Sequence, residues 1–143
     1  MKFIKPFNKI SKADISSAGG KGASLGEMTQ ADMPVPAGFV ILANAFDTFL
    51  EKTDLDIEIE ALLHKASAKN IASIEKISVE IHNLIEDAEF PKEISEEILV
   101  QLKKLNARYV AVRSSATAED SAIASWAGEL ESYLNTTKAT LLK

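Results

Sequence analysis

Between residues 71 and 105 the apolar side chains recur at three- and four-residue steps in two consecutive runs, and a proline divides them. Ile71, Ile74, Ile77, Ile81, Leu84, Ile85 and Ala88 form one stripe along a long amphipathic helix. Phe90-Pro91 ends it, and Pro91 suits the first turn of a second helix whose Ile94, Ile98, Leu99, Leu102 and Leu105 form another stripe. The pattern predicts a helical hairpin in the middle of the chain. What flanks it has a different character. Phe39-Val40-Ile41-Leu42 and Tyr109-Val110-Ala111-Val112 are compact β-prone runs, the first read as a short buried strand and the second as a central one. Helices and strands in one chain of 143 residues, 46% hydrophobic, predict a mixed α/β (α+β) domain that buries about two thirds of its unfolded surface.

The remaining segments fit around this frame. Lys2 to Ile10 reads as an edge strand or extended lead, followed by polar residues from Ser11 to Ser17 and a break at Ala18-Gly19-Gly20. Lys21 to about Gln30 is helix-prone, with Gly22 and Gly26 four apart on one side, a spacing that suits close backbone packing. Pro34-Val35-Pro36-Ala37-Gly38 is a rigid turn, because each proline fixes its own φ and pushes its predecessor to extended backbone. Asn44 is placed to cap a helix carrying Phe46, Phe49 and Leu50, and the charged stretch Glu51 to Glu60 reads as an exposed connection. Gly128 to Leu134 alternates loosely as a further strand, and Thr137 onward reads as the first turn of a helix. A helix begun so near the last residue suggests a piece of a longer protein.

Several function classes are disfavoured by composition. A formal charge of -5 with a pI near 5.1, and no basic run, speaks against a nucleic-acid footprint. Without cysteine there is neither disulfide nor thiolate chemistry. No run reaches the roughly 18 apolar residues of a spanning helix, and the first residues lack a signal-peptide pattern. The expectation is a soluble, cytoplasmic protein with no membrane partner.

Two places carry candidate chemistry. Gly19-Gly20-Lys21-Gly22-Ala23-Ser24 puts a lysine among glycines at a helix start, where exposed amides and the positive helix end favour an anion. It matches neither G-x-x-x-x-G-K-[ST], since Ile15 and Gly22 stand at required positions, nor G-x-G-x-x-G, since Leu25 stands at the last. On local spacing alone, a glycine turn opening a surface helix is the plainer reading. The second place is the abrupt change from Tyr109-Val112 to Arg113-Ser114-Ser115-Ala116-Thr117-Ala118-Glu119-Asp120. A guanidinium at the end of an apolar strand can grip phosphate oxygens in parallel, with the neighbouring hydroxyls and amides as further donors. Glu119 and Asp120 are oxygen ligands by type, but pairing with Arg113 or capping a turn is the plainer role, and no metal ligand is assigned in the chain. His64 and His82 sit among helical residues and read as surface or packing side chains.

Taken together, GGKGASLGEMTQADMPVPAGFVI and YVAVRSSATAEDSAIASWAGELESYLNT resemble the nucleotide-binding domain of the phosphoenolpyruvate synthase and pyruvate phosphate dikinase family, which rifampicin phosphotransferases share. The resemblance covers essentially the whole chain, though Thr53 to Asn106 matches in character more than in residues. It implies residues 1–143 are the N-terminal portion of an ATP-grasp domain. ATP would lie between two α/β subdomains and pass its β-phosphoryl group to a histidine on a separate swivelling domain. Lys21 and Arg113 match the family's basic residues at the ATP phosphates, and Gly128 and Ser132 match positions lining the nucleotide. Trp126, Glu129 and Ser132 stand where phenylalanine, glutamine and threonine are common, and Glu129 adds a negative charge beside the expected phosphate site. The resemblance further implies ATP with Mg2+ held mostly by residues outside this chain, pyruvate bound by domains not present, and a parent open to homo-oligomerisation. No catalytic residue is expected in this portion, which alone should not complete the reaction. A stand-alone, non-catalytic nucleotide-binding or interaction module is the alternative.

Overall fold

The computed structural model describes residues 1–67, 70–117 and 131–142. They form a mixed α+β arrangement that divides into two compact units. One comprises Met1–Ala45 with the chain from Lys92 onward, and the other is Phe46–Pro91.

The first unit begins with β1 (Ile4–Pro6), antiparallel to β2 (Phe39–Ile41), with Lys5 opposite Val40. Between them the chain makes two single 3-10 turns, Phe7–Lys9 and Lys12–Asp14, and then helix α1 (Ile15–Gln30). The second turn is closed by a capping box. Ser11 Oγ accepts from the Ala13 amide, while the Ser11 amide donates to Asp14 Oδ2 at 2.9 Å. Helix α1 carries glycines where it meets its neighbours. A Cβ on Gly22 would stand 3.0 Å from a Val40 methyl, and one on Gly26 would stand 2.4 Å from the Ile10 carbonyl oxygen. The expected close approach at Gly22 and Gly26 is therefore present. Ile10, Ala18 and Val40 form the buried centre of this packing, with Phe7 and Leu42 against it.

Helix α5 (Lys92–Leu105) packs on β1 and buries Ile94, Ile98 and Leu102. Glu97, on the same helix, accepts from the Lys2 and Phe3 amides at 2.9 and 3.0 Å, which fixes the start of the chain to it. The unit's second sheet pairs β3 (Val110–Arg113) with β4 (Ser132–Thr136), antiparallel, with Arg113 opposite Ser132. The register shifts by one residue between Val110 and Val112. The extra residue lies on β4, where Asn135 takes φ 56°, a bulge that a short polar side chain tolerates.

In the second unit, α3 (Leu55–Leu63) packs on α4 (Ile71–Asp87), burying Leu55, Leu62 and Ile77. Asn70 caps α4 by accepting from the Ser73 amide. Helix α2 (Ala43–Lys52) runs across the boundary between the units.

Several expectations change. Within the second unit α4 packs with α3, and within the first α5 covers β1. Within the charged stretch from Glu51 the connection between helices is confined to Thr53 and Asp54, and from Leu55 onward the chain is helix α3, with Leu55 and Leu62 buried. Asn44 lies inside α2 instead of capping it, and its Nδ2 donates to the Lys2 carbonyl at 3.1 Å. The break at Ala18-Gly20 is a kink inside α1. The strand at 110–113 pairs on one side only among the described residues, alternating half-buried and exposed positions, so it is not central there. Residues 138–142 make a single turn in which the Thr140 and Leu141 amides donate to the Thr137 carbonyl at 3.1 and 3.0 Å, and the part of the last strand expected at 128–130 lies outside the described residues.

Candidate functional site

Gly19 stands in the middle of α1 with φ 72° and ψ 168°, a left-handed conformation that only glycine adopts without a steric penalty. The helix is opened there by one turn and resumes at Gly20. What fills the opening comes from the far end of the sequence. The loop after β3 lies on the kink: Ser115 Oγ donates to the Ala18 carbonyl at 2.8 Å and accepts from the Gly22 amide at 3.1 Å. The Ala116 carbonyl accepts from the Gly20 amide at 3.3 Å. In an uninterrupted helix the Gly22 amide would bond the Ala18 carbonyl directly. The serine hydroxyl is inserted into that bond, one of the recognised causes of a sharp helix kink. Contact is tight enough that a Cβ on Gly19 would sit 2.3 Å from Ser115 Oγ.

Lys21 is the residue between the two amides so engaged, and its side chain is half-buried. Arg113 ends β3, exposed, two residues before Ser115. Ser132 faces Arg113 across the ladder, and the Ser114 amide and hydroxyl both donate to the Glu131 carbonyl at 3.3 Å, holding the loop to the start of β4. Arg113 and Ser132 are thus paired across the ladder, while Lys21 lies on α1 between the two glycines whose amides the loop bonds. Gly128 lies outside the described residues, as do Glu119, Asp120, Trp126 and Glu129.

The arrangement alters how the glycine-lysine segment would hold an anion. The Gly20 and Gly22 amides point into the loop and are already bonded, so they do not form an open amide nest. Charge for an anion would come from the lysine and arginine side chains rather than from these amides. Ser115 changes role for the same reason: its hydroxyl is occupied by α1. The sequence offered one signal for this clasp, a glycine pair interrupting a helix-prone run, but none for its partner.

His64 and His82 are exposed in the second unit, His64 with Nε2 3.7 Å from Glu60 Oε1 one turn earlier. Among the described residues no three histidine, aspartate or glutamate side chains gather as a metal ion would need, and no helix is long and apolar enough to cross a membrane.

The family described as pyruvate phosphate dikinase, AMP/ATP-binding domain, matches residues 15–143, from the start of α1 through both halves of the clasp. The chain belongs to that family. Its relatives include a probable phosphoenolpyruvate synthase of Methanothermobacter thermautotrophicus, 39% identical over 141 residues, which are 94% of this chain and 21% of that protein. Another, of Archaeoglobus fulgidus and named in the same way, is 44% identical over 131 residues, 88% of this chain and 17% of the relative. The phosphoenolpyruvate synthase of Pyrococcus furiosus is 36% identical over 172 aligned positions, 94% of this chain and 21% of the relative. The chain therefore spans only about a fifth of the length of these relatives. As a member of the pyruvate phosphate dikinase AMP/ATP-binding family it is a nucleotide-binding segment, and the matched residues include the kinked α1 and its clasped loop.

Proposed function

We propose that this chain is the ATP-binding front part of a phosphoenolpyruvate synthase-like phosphotransferase, in which ATP, pyruvate and water become phosphoenolpyruvate, AMP and phosphate through a phosphohistidine on another domain. The observation that carries the reading is the clasp itself. It joins the segment bearing Lys21 to the loop that follows Arg113, 92 residues further along the chain, and the β3–β4 pairing of Arg113 with Ser132 supports the same reading. A lysine on α1 and an arginine at the end of β3, joined through the loop between them, suit phosphoryl transfer, since catalysis there rests on positioning and on offsetting charge at the phosphoryl group and the leaving nucleotide.

In this reading Lys21 and Arg113 contact the ATP phosphates, with Gly128 and Ser132 lining the nucleotide. The segment is one jaw of an ATP-grasp domain. Magnesium accompanies the phosphates and is held mostly by residues outside this chain. Pyruvate, rather than phosphate-requiring dikinase chemistry or an antibiotic acceptor, is favoured by the names of the relatives. Localisation in the cytoplasm and a homo-oligomeric parent belong to the same proposal.

ATP titration of the chain by calorimetry or NMR tests it. The expected result is weak binding, reduced by Lys21→Ala and lost with Arg113→Ala. Tight, magnesium-dependent ATP binding by this chain alone would show that the site is complete without a second jaw. In a full-length relative, turnover that survives both substitutions would mean the phosphate contacts are elsewhere.

A further inference from the structure

The clasp has a consequence for Lys21 that neither motif predicts. Ser115 Oγ occupies the place of a backbone hydrogen bond in α1, between the Ala18 carbonyl and the Gly22 amide. Two bonded arrangements of this turn can be drawn, of which the structure holds the first. In one the turn is open and the serine completes it; in the other the Gly22 amide bonds the Ala18 carbonyl directly and the helix is regular. Ala18, Gly19, Gly20 and Gly22 are all buried, so their polar groups cannot turn to water if the serine is lost. Lys21 sits inside the opened turn, between Gly20 and Gly22, and closing the turn would rotate it with respect to the loop that bears Arg113.

We infer that Ser115 is a positioning residue for Lys21: its hydroxyl holds α1 open so that the lysine and Arg113 address the same phosphate group. This rests on the nucleotide reading above. Gly19 is part of the same device. Its φ of 72° lets the chain leave the helix, and the absence of a Cβ lets Ser115 reach the backbone.

The test is a double-mutant cycle read by ATP titration of the labelled chain in NMR, with the Gly22 amide as an internal reporter. Ser115→Ala should weaken ATP binding about tenfold, the equivalent of one charge-assisted hydrogen bond, and should shift the Gly22 amide resonance. Ser115→Thr, which keeps the hydroxyl, should restore most of the affinity. Ser115→Ala combined with Lys21→Ala should bind ATP no more weakly than Lys21→Ala alone, since the serine acts through the lysine. If Ser115→Ala does not fold, Ser115→Cys replaces it in the cycle, its thiol being a weak donor and acceptor. Wild-type affinity in Ser115→Ala, or the same fractional loss with and without Lys21, overturns the inference and leaves the nucleotide site standing. If instead Lys21→Ala and Arg113→Ala both bind ATP like the wild type, the nucleotide reading falls and the inference with it.

Discussion

Gly26 shows how strictly α1 is seated. The nearest atoms to a Cβ at this position belong to the Ile10 main chain, with its carbonyl oxygen at 2.4 Å, and backbone cannot swing aside as a side-chain tip can. Gly26→Ala should therefore destabilise the fold by about 1–3 kcal/mol, the usual cost of overpacking, seen as a lower midpoint in urea unfolding. Gly22→Ala meets only a Val40 methyl at 3.0 Å and should cost less. A destabilisation at Gly22 equal to that at Gly26 would mean that β2 is as unyielding as the Ile10 backbone. Spacing alone made this pair legible, because glycines four apart share one side of a helix. Gly19 was legible only in part. A glycine pair in a helix-prone run announces a break, but the serine that fills it lies 96 residues on, and local patterns carry no information about so distant a partner. The amides read as open to an anion are taken for the same reason.

At the level of elements, periodicity located α4 and α5 well because each has a continuous apolar stripe, but it gave no sign of α3 against α4 or β1 against α5, because a stripe does not say what covers it. Ile98, on the stripe of α5, is 2% exposed, whereas Val79, off the stripe of α4, is 60% exposed. Ile98→Ala should thus cost about 2–5 kcal/mol in thermal or urea unfolding, and Val79→Ala no more than about 0.5 kcal/mol. Comparable losses at the two sites would contradict the packing of α5 on β1. The misreading of α3 has a related origin. Apolar and acidic residues alternate from Leu55 to Glu60, which is not a helical period, and only Leu55 and Leu62, seven residues apart, are buried. For β3 the apolar run Val110 to Val112 promised a central strand, but the alternation of half-buried and exposed residues along it is that of a strand covered on one face.

Across the whole molecule, two carboxylates tie distant parts of the first unit together, and both titrate below their ordinary values. Asp14 is lowered first by the hydrogen bond from Lys5 Nζ at 2.6 Å, then by the Ser11 amide. At Glu97 desolvation is the largest single influence and acts upward, but the Lys2, Phe3 and Ile4 amides and the charge of the chain's amino group together outweigh it. A carboxylate whose pKa is lower folded than unfolded contributes stability that is fully present above its unfolded value and disappears as pH falls through the folded one. Stability should accordingly be flat near neutrality and decline below the ordinary carboxylate values of 3.8 for Asp14 and 4.5 for Glu97. The two contributions separate by salt. The Lys5–Asp14 pair is partly exposed, with side chains 32% and 23% accessible, so added salt should weaken it. Glu97 is held mainly by backbone amides, which salt screens less. Urea midpoints measured across the acid range at low and high salt should then show a Glu97→Gln variant with a shallower acid decline in both conditions. Asp14→Asn should differ from the wild type chiefly at low salt. If Glu97→Gln leaves the acid decline unchanged, the amides of Lys2 and Phe3 are not what holds the chain start to α5, and the packing of β1 on that helix must stand on Ile94, Ile98 and Leu102 alone.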